Sequence, residues 1–339
     1  MLRLSRLTSL YWPVLIFLFL FSGWRYEVGC DWSGYIRQYN IYSQMTLSEL
    51  NWLDEPLWKM MFIFQDRLGL PYPWINVFSS AVFFAGMHAM ARRQPDRLAF
   101  LILLFPILII NMPMSGIRQA TAIGVLGFAF VAFTDRSLLR FVVFVLLSSA
   151  FHTSSLIFLA LAPLVSGSFS RKRILISILV AIPGMAILAS SALADIAVSR
   201  YVNTGVDSAG ALYRVAFLSL TGGLFFVVLN SSWRDTYPRD HKLAAIGSLA
   251  MMFLLALLPF SSVIADRLAY GIMPIQAVIF ARIVKLPRVK NRNLYIFGAY
   301  ASLLLILVSW TSLSWIFDIC YIPYNTWIFD GSRYISESY

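Results

Sequence analysis

The sequence predicts an all-α, polytopic membrane protein of about eleven transmembrane helices, with the N-terminus inside and the C-terminus outside. Three observations carry that expectation. Of 339 residues, 59% are hydrophobic and only 13% charged, whereas a soluble domain carries about 25% charged residues. The remaining charge is bunched between apolar runs that approach the roughly 20 residues a helix needs to cross about 30 Å of hydrocarbon. Those runs, 98–110 and 174–188 among them, lack the alternation of a membrane-spanning strand.

In order, the expected spans are 8–23, 73–91, 98–113, 116–133, 138–150, 154–166, 174–193, 212–229, 243–260, 263–283 and 294–310. Several are short for a full crossing and call for extension or pairing as half-helices. Arg3 and Arg6 before the run 14–21 resemble a signal peptide, but no small-residue cleavage site follows. Cys30 in a VGC sequence resembles a lipoprotein site, with Glu27 standing where an apolar residue is wanted.

Lys and Arg assign the loops, because cytoplasmic loops hold the excess. With the N-terminus inside, about 18 of the 27 basic residues fall in inner loops such as ARRQPDR, SRKR and KLPRVKNR. About 12 of the 16 acids fall outside. The net charge of +11 follows this alternation and forms no aromatic-interleaved basic patch, so no nucleic-acid partner is expected. Cys30 and Cys320 are too few for a disulfide framework or a zinc site, although both lie outside and could pair.

Three outer segments, 24–72, 194–211 and 311–339, complete what reads as one domain over 1–339, without repeats or linkers. Within the first, 57–64 is expected to lie along the membrane interface as a short amphipathic helix. Eight of the ten Trp lie outside or at the outer boundary, Trp32 among them. An interfacial belt would be enriched on both faces. Stacking on sugar rings is one cause of the asymmetry, and packing of loops against the membrane is another.

Charge at a membrane boundary is costly and points to function. Arg118, His152, Arg214 and Arg267 recur at outer ends of spans. The guanidinium groups suit a phosphate or diphosphate, which they grip in a bidentate fashion. Local pairing, Arg267 with Asp266 or Arg214 with Asp207, is the alternative for each. Arg118 opens a span near Gly116, where unpaired N–H groups and the helix dipole add to its charge. His152 is the only outward-facing one of three histidines, and its ordinary pKa near 6.5 suits a general base; capping the turn at Thr153 and Ser154 is the plain alternative. Asp31 stands out among the outer acids as the second candidate base. No carboxylate or histidine spacing marks a metal site.

Taken together, Gly29-x-Asp31-x-x-x-Tyr35, Glu55-Pro56, Gly116-x-Arg118-Gln119, Phe151-His152-x-Ser154, Arg267-x-x-x-Tyr270 and the closing IPYN at 322–325 resemble EpsG-type polysaccharide polymerases of the Wzy class. The resemblance covers most of the chain. It implies a C-type membrane glycosyltransferase-like fold that joins undecaprenyl-diphosphate-linked oligosaccharide repeat units at the periplasmic face of the bacterial inner membrane. It implies no cofactor and no nucleotide sugar, and it brings a chain-length regulator and a flippase as partners beside the lipid bilayer. On that reading His152 or Asp31 accepts a proton, and Arg118, Arg214 and Arg267 bind the diphosphate. Gln119, Tyr35, Glu55, Tyr270 and Trp32 contact sugar or support the site. Arg214 matches no motif and rests on topology alone. A lipid-linked oligosaccharide flippase, an O-antigen ligase and a membrane O-acyltransferase are the rival readings. The sugars, the linkage and the oligomeric state are not legible.

Overall fold

A computed structural model of the protein describes residues 8–167, 170–177, 179–180 and 210–329. Apolar runs without alternation fold as helices, since a helix satisfies its own backbone polar groups where no water can. Among the described residues, five helices are long and apolar enough to cross a membrane: Trp74–Ala91, Ile117–Thr134, Ala211–Thr236, Ser262–Ile283 and Arg292–Leu313. Five shorter apolar helices are Tyr11–Gly23, Arg97–Ile109, Leu138–Phe151, Thr153–Val165 and His241–Leu257. The protein is therefore an all-α membrane protein. The expected span 174–193 lies outside the described residues except for 174–177, 179 and 180, as do the expected outer segment 194–211 except for 210 and 211, and the tail beyond 329.

Ser262–Ile283 is the central helix, with 89% of its apolar window buried, whereas Arg292–Leu313 runs along the periphery with 11% buried. A helix hydrophobic on every side is held inside the bundle. Trp74–Ala91 and Ile117–Thr134 pack closest of all, because three glycines meet where they cross. A Cβ on Gly86 would stand 1.8 Å from the Gly124 carbonyl oxygen, and one on Gly124 would stand 2.5 Å from that of Val82. Small residues let membrane helices approach at the backbone. Ser79 Oγ then reaches the Ile117 carbonyl at 2.7 Å and Thr121 Oγ1 at 2.7 Å across the same seam. Gly124→Val is expected to destabilise the protein by about 1–3 kcal/mol, read as a lower unfolding midpoint in detergent. Gly223→Val, at a position with open space around it, is the control; equal effects of the two substitutions would remove this account of the seam.

Two expected elements differ in form. The span 98–113 is interrupted: Arg97–Leu104 is α-helical and Phe105–Ile109 winds as a π-turn. Pro106 has no N–H to offer the preceding turn, which widens there. The span 154–166 begins as a 3-10 helix over Thr153–Leu161 and becomes α-helical only at Ala162–Val165. That is long for a 3-10 segment, and it starts directly after His152.

The segment 24–72 holds two helices, Trp32–Tyr42 and Pro56–Arg67. The second contains the stretch expected to float at the interface, but its apolar face meets protein instead. Trp58, Phe62 and Ile63 are fully buried. Trp58 and Phe62 pack edge-on against Tyr35 and Tyr39, and Trp58 Nε1 donates to Gln38 Oε1 at 2.9 Å.

The ends of the chain are stitched beside this layer. Strand Arg25–Tyr26 pairs antiparallel with strand Asn325–Thr326. Cys30 is disulfide-bonded to Cys320, with Cα atoms 4.8 Å apart. Between them Gly29 adopts φ +103°, and a Cβ there would lie 1.9 Å from the Met114 carbonyl oxygen. Only glycine allows both that backbone conformation and that approach. The loop so pinned borders residues 114–116, which lead into the helix carrying Arg118.

Candidate functional site

Glu55 lies at the centre of the residues gathered at this end of the bundle. It is 3% exposed, and its backbone is left-handed, φ 48° and ψ 52°. For a non-glycine residue preceding proline this conformation is strained by about 1–3 kcal/mol. The strain turns the carboxylate inward from the start of the Pro56–Arg67 helix. Arg118 Nη1 donates to Oε2 at 2.7 Å. His152 Nδ1 and the Thr153 backbone N–H both meet Oε1, at 2.9 and 3.0 Å. One carboxylate therefore ties together three segments that are remote in sequence.

The electrostatics follow from those contacts. Burial alone would raise the Glu55 carboxyl; the His152 hydrogen bond, the Arg118 charge and the Thr153 N–H outweigh it and hold the pKa at about 2. Burial pushes His152 below its ordinary value, with Arg118 and Arg267 adding to the effect against the pull of Glu55. The ring is therefore neutral near pH 7. With the carboxylate on Nδ1, the proton belongs on Nδ1 and the lone pair on Nε2. Nε2 is buried and has no hydrogen-bond partner among the described residues.

The three arginines expected at outer ends of spans differ in their partners. Arg118 pairs with Glu55. Arg214 grips Asp266 with two nitrogens, Nε to Oδ1 and Nη2 to Oδ2, both at 2.7 Å, and lies over the Tyr270 ring at 5.4 Å. The local-pairing alternative thus applies to Arg214, with Asp266 in the pair; Asp207 lies outside the described residues. Arg267 is half-buried and makes no side-chain hydrogen bond or ion pair among the described residues. It lies close enough to His152 to disfavour the imidazolium. Its backbone carbonyl accepts from Gln119 Nε2 at 2.7 Å, which locks the first turn of the Arg118 helix to the second turn of the central helix.

The remaining sequence candidates surround this group. Tyr35 is buried, and its hydroxyl accepts from the Arg118 backbone N–H at 3.4 Å. Asp31 sits apart from His152 in the site's wiring: it is exposed, and among the described residues its carboxylate accepts only from Ser115 Oγ, at 3.4 Å. Trp32 is buried against Tyr26 and Tyr72, and Tyr270 is buried beneath Arg214. Both support the site by packing and present no free face. Two partners went unforeseen from sequence: Asp266 as the mate of Arg214, and the Thr153 N–H on Glu55. The acid and base that mark the opposite ends of the same helices form separate pairs there, Arg93 with Asp135 and Arg282 with Asp240.

Helices of this composition, with a buried carboxylate, histidine and arginine at one end, define an integral membrane protein whose polar chemistry sits at the mouth of the bundle. The chain belongs to the EpsG family, whose model matches residues 9–326. That membership carries a polysaccharide-polymerase-like role, that of a glycosyltransferase in general. No curated protein and no solved structure gives a significant match to the chain.

Proposed function

We propose that the protein polymerises undecaprenyl-diphosphate-linked oligosaccharide repeat units at the periplasmic face of the bacterial inner membrane, transferring the growing glycan to a new lipid-linked unit. The observation that carries this reading is His152: its Nδ1 is held by Glu55, and among the described residues its Nε2 is unpartnered and Arg267 stands beside it without a counter-charge. Nε2 accepts the proton of an acceptor hydroxyl as that oxygen bonds to the donor's anomeric carbon. The bond from that carbon to the diphosphate breaks, and its electron pair leaves with undecaprenyl diphosphate. Arg267 offsets the charge growing on the leaving group, an electrostatic contribution worth several kcal/mol. Arg118 and Glu55 hold the imidazole in the required tautomer. Arg214 braces the site through Asp266, and Asp31 is kept as the second base. The Cys30–Cys320 bond supports the outward assignment, because disulfides persist outside the reducing cytoplasm.

Purified protein in lipid nanodiscs, supplied with lipid-linked repeat units, is expected to produce a ladder of polymer. His152→Ala is expected to lower the rate by about 100-fold to 10,000-fold. Because burial lowers the His152 pKa, the acid limb of the rate profile is expected below about pH 6.5. Translocation of the lipid-linked unit without a ladder would overturn the reading in favour of a flippase. A ladder from His152→Ala at the normal rate would remove the base assignment.

A further inference from the structure

Arg267 is held differently from the other two arginines. Carboxylates fix the guanidinium groups of Arg118 and Arg214, whereas among the described residues no side-chain partner fixes that of Arg267. Where its charge can reach is therefore decided by where its backbone sits. Two contacts fix that backbone. Gln119 Nε2 donates to the Arg267 carbonyl at 2.7 Å; a carbonyl only accepts, so the nitrogen end of the amide is the one turned to it. One helical turn on, Gly271 leaves a notch for Phe158, since a Cβ there would lie 3.0 Å from Phe158 Cζ. Phe158 belongs to the 3-10 segment that starts directly after His152. The turn 267–271 is thus clamped between the Arg118 helix and the His152 segment, and Gln119 is the polar half of the clamp.

We infer that Gln119 is a positioning residue for Arg267, its side-chain amide setting how far the guanidinium stands from His152. Reach and chemistry both suit the amide to that task. It comes from the first turn of the Ile117–Thr134 helix, one residue past Arg118, whose guanidinium is tied to Glu55. Glu55 in turn holds His152 Nδ1. A single helical turn therefore relates both arginines to the same imidazole, Arg118 through its carboxylate partner and Arg267 through its own carbonyl. A neutral donor is what the place allows. A carboxylate at position 119 could not donate to a carbonyl, and a lysine or arginine would bring one more positive charge toward His152. Glu55, Arg118 and Arg267 are the charged groups that face His152 among the described residues, and of these Gln119 holds only Arg267. The inference rests on the polymerase reading for what Arg267 does in transfer, and not for the coupling of Gln119, Arg267 and His152.

The coupling is read from the His152 pKa by histidine-selective NMR of the full protein in nanodiscs, where only three histidines need assignment. Removing a nearby positive charge eases protonation. Arg267→Ala is expected to raise the His152 pKa by about 0.5–1 pH unit. Gln119→Met is expected to raise it about half as far, and the double variant no further than Arg267→Ala alone. Gln119→Asn keeps the amide but falls one methylene short, so it should shift the pKa as Gln119→Met does, and it serves where the methionine variant folds poorly. Gln276→Leu is the control for packing alone. It removes an amide bond of the same kind from the same helix, Nε2 to Thr221 Oγ1 at 2.8 Å, and should lower the unfolding midpoint with the His152 pKa unmoved. In the ladder assay Gln119→Met is expected to lower kcat about tenfold at unchanged KM, and to add nothing to the loss in Arg267→Ala. A His152 pKa unmoved by the 119 variants or by Arg267→Ala, shifts that add, or an equal shift in Gln276→Leu overturns the positioning role. Coupled shifts in a protein whose wild type makes no ladder keep that role and remove the polymerase reading. A ladder with additive shifts does the reverse.

Discussion

Glu55→Gln is expected to lower polymer synthesis by at least 100-fold and to destabilise the protein as well. The carboxylate has two tasks, and the amide fails both. It keeps the proton on His152 Nδ1 and the lone pair on Nε2. An amide can turn its NH2 toward the ring and reverse that tautomer, which in comparable carboxylate–histidine arrangements costs about four orders of magnitude in rate. It also neutralises Arg118. Leaving that guanidinium without its partner in a buried site costs about 3–5 kcal/mol. The two effects separate in a double-mutant cycle: adding Arg118→Gln to Glu55→Gln is expected to restore much of the unfolding midpoint and none of the activity. Activity returning together with stability would assign Glu55 a purely structural part. The pair also predicts acid sensitivity. The folded carboxyl titrates at about 2 against an ordinary 4.5. Its stabilisation, about 3 kcal/mol by linkage, is complete above the ordinary value, declines as pH falls and is gone below about 2.

The second large effect is at Arg267. Arg267→Ala is expected to reduce kcat by about 100-fold to 1,000-fold, the usual cost of removing one group that faces charge developing in the transition state. Arg267→Lys should recover part of that loss, since it keeps the charge without the planar fork. Folding should be little changed in either variant, because no carboxylate depends on Arg267 among the described residues. Arg214→Ala should behave in the opposite way. It removes the two guanidinium nitrogens that hold Asp266 at 2.7 Å, so the amount of folded protein should fall before the chemistry does. Equal stability losses at the two positions, with kcat preserved at Arg267, would sink the division of labour between them.

The helical membrane character was legible because it depends on bulk quantities: long apolar runs and the bunching of charge. Three of the candidate site's residues were also marked, since Arg118, His152 and Arg267 sit at ends of apolar runs, where a charge invites explanation; Glu55 entered only through the family resemblance, with Asp31 preferred to it among the acids. Their wiring was not legible. Nothing local says that the carboxylate after Asp54 reaches His152, 97 residues on, or that of three similar arginines only Arg267 lacks a counter-charge among the described residues. Pairing is set by which helix ends the bundle brings together, and hydropathy does not encode that. The stretch around Trp58 was misread for a related reason. An amphipathic helix has an apolar face whether it covers lipid or protein, and the Trp32–Tyr42 helix that covers it is too polar in composition to announce itself. The π-turn at Phe105–Ile109 had a visible cause in Pro106, whereas the 3-10 winding after His152 carries no such mark.

The Cys30–Cys320 bond has a bearing on biogenesis. The two residues are 290 positions apart, so almost the whole molecule forms one covalent ring. A ring of that size removes about 6 kcal/mol of chain freedom from the unfolded state on the entropic view. It also imposes an order of events. The loop through Gly29 that borders the Arg118 helix can be locked only after Cys320 has been synthesised. Until then the flank of the site is unfastened, and a ribosome-bound chain lacking its last helices holds every residue of the Glu55 cluster while the clasp beside it stays open. Maturation of the site would then be timed by oxidation of one cysteine pair late in assembly.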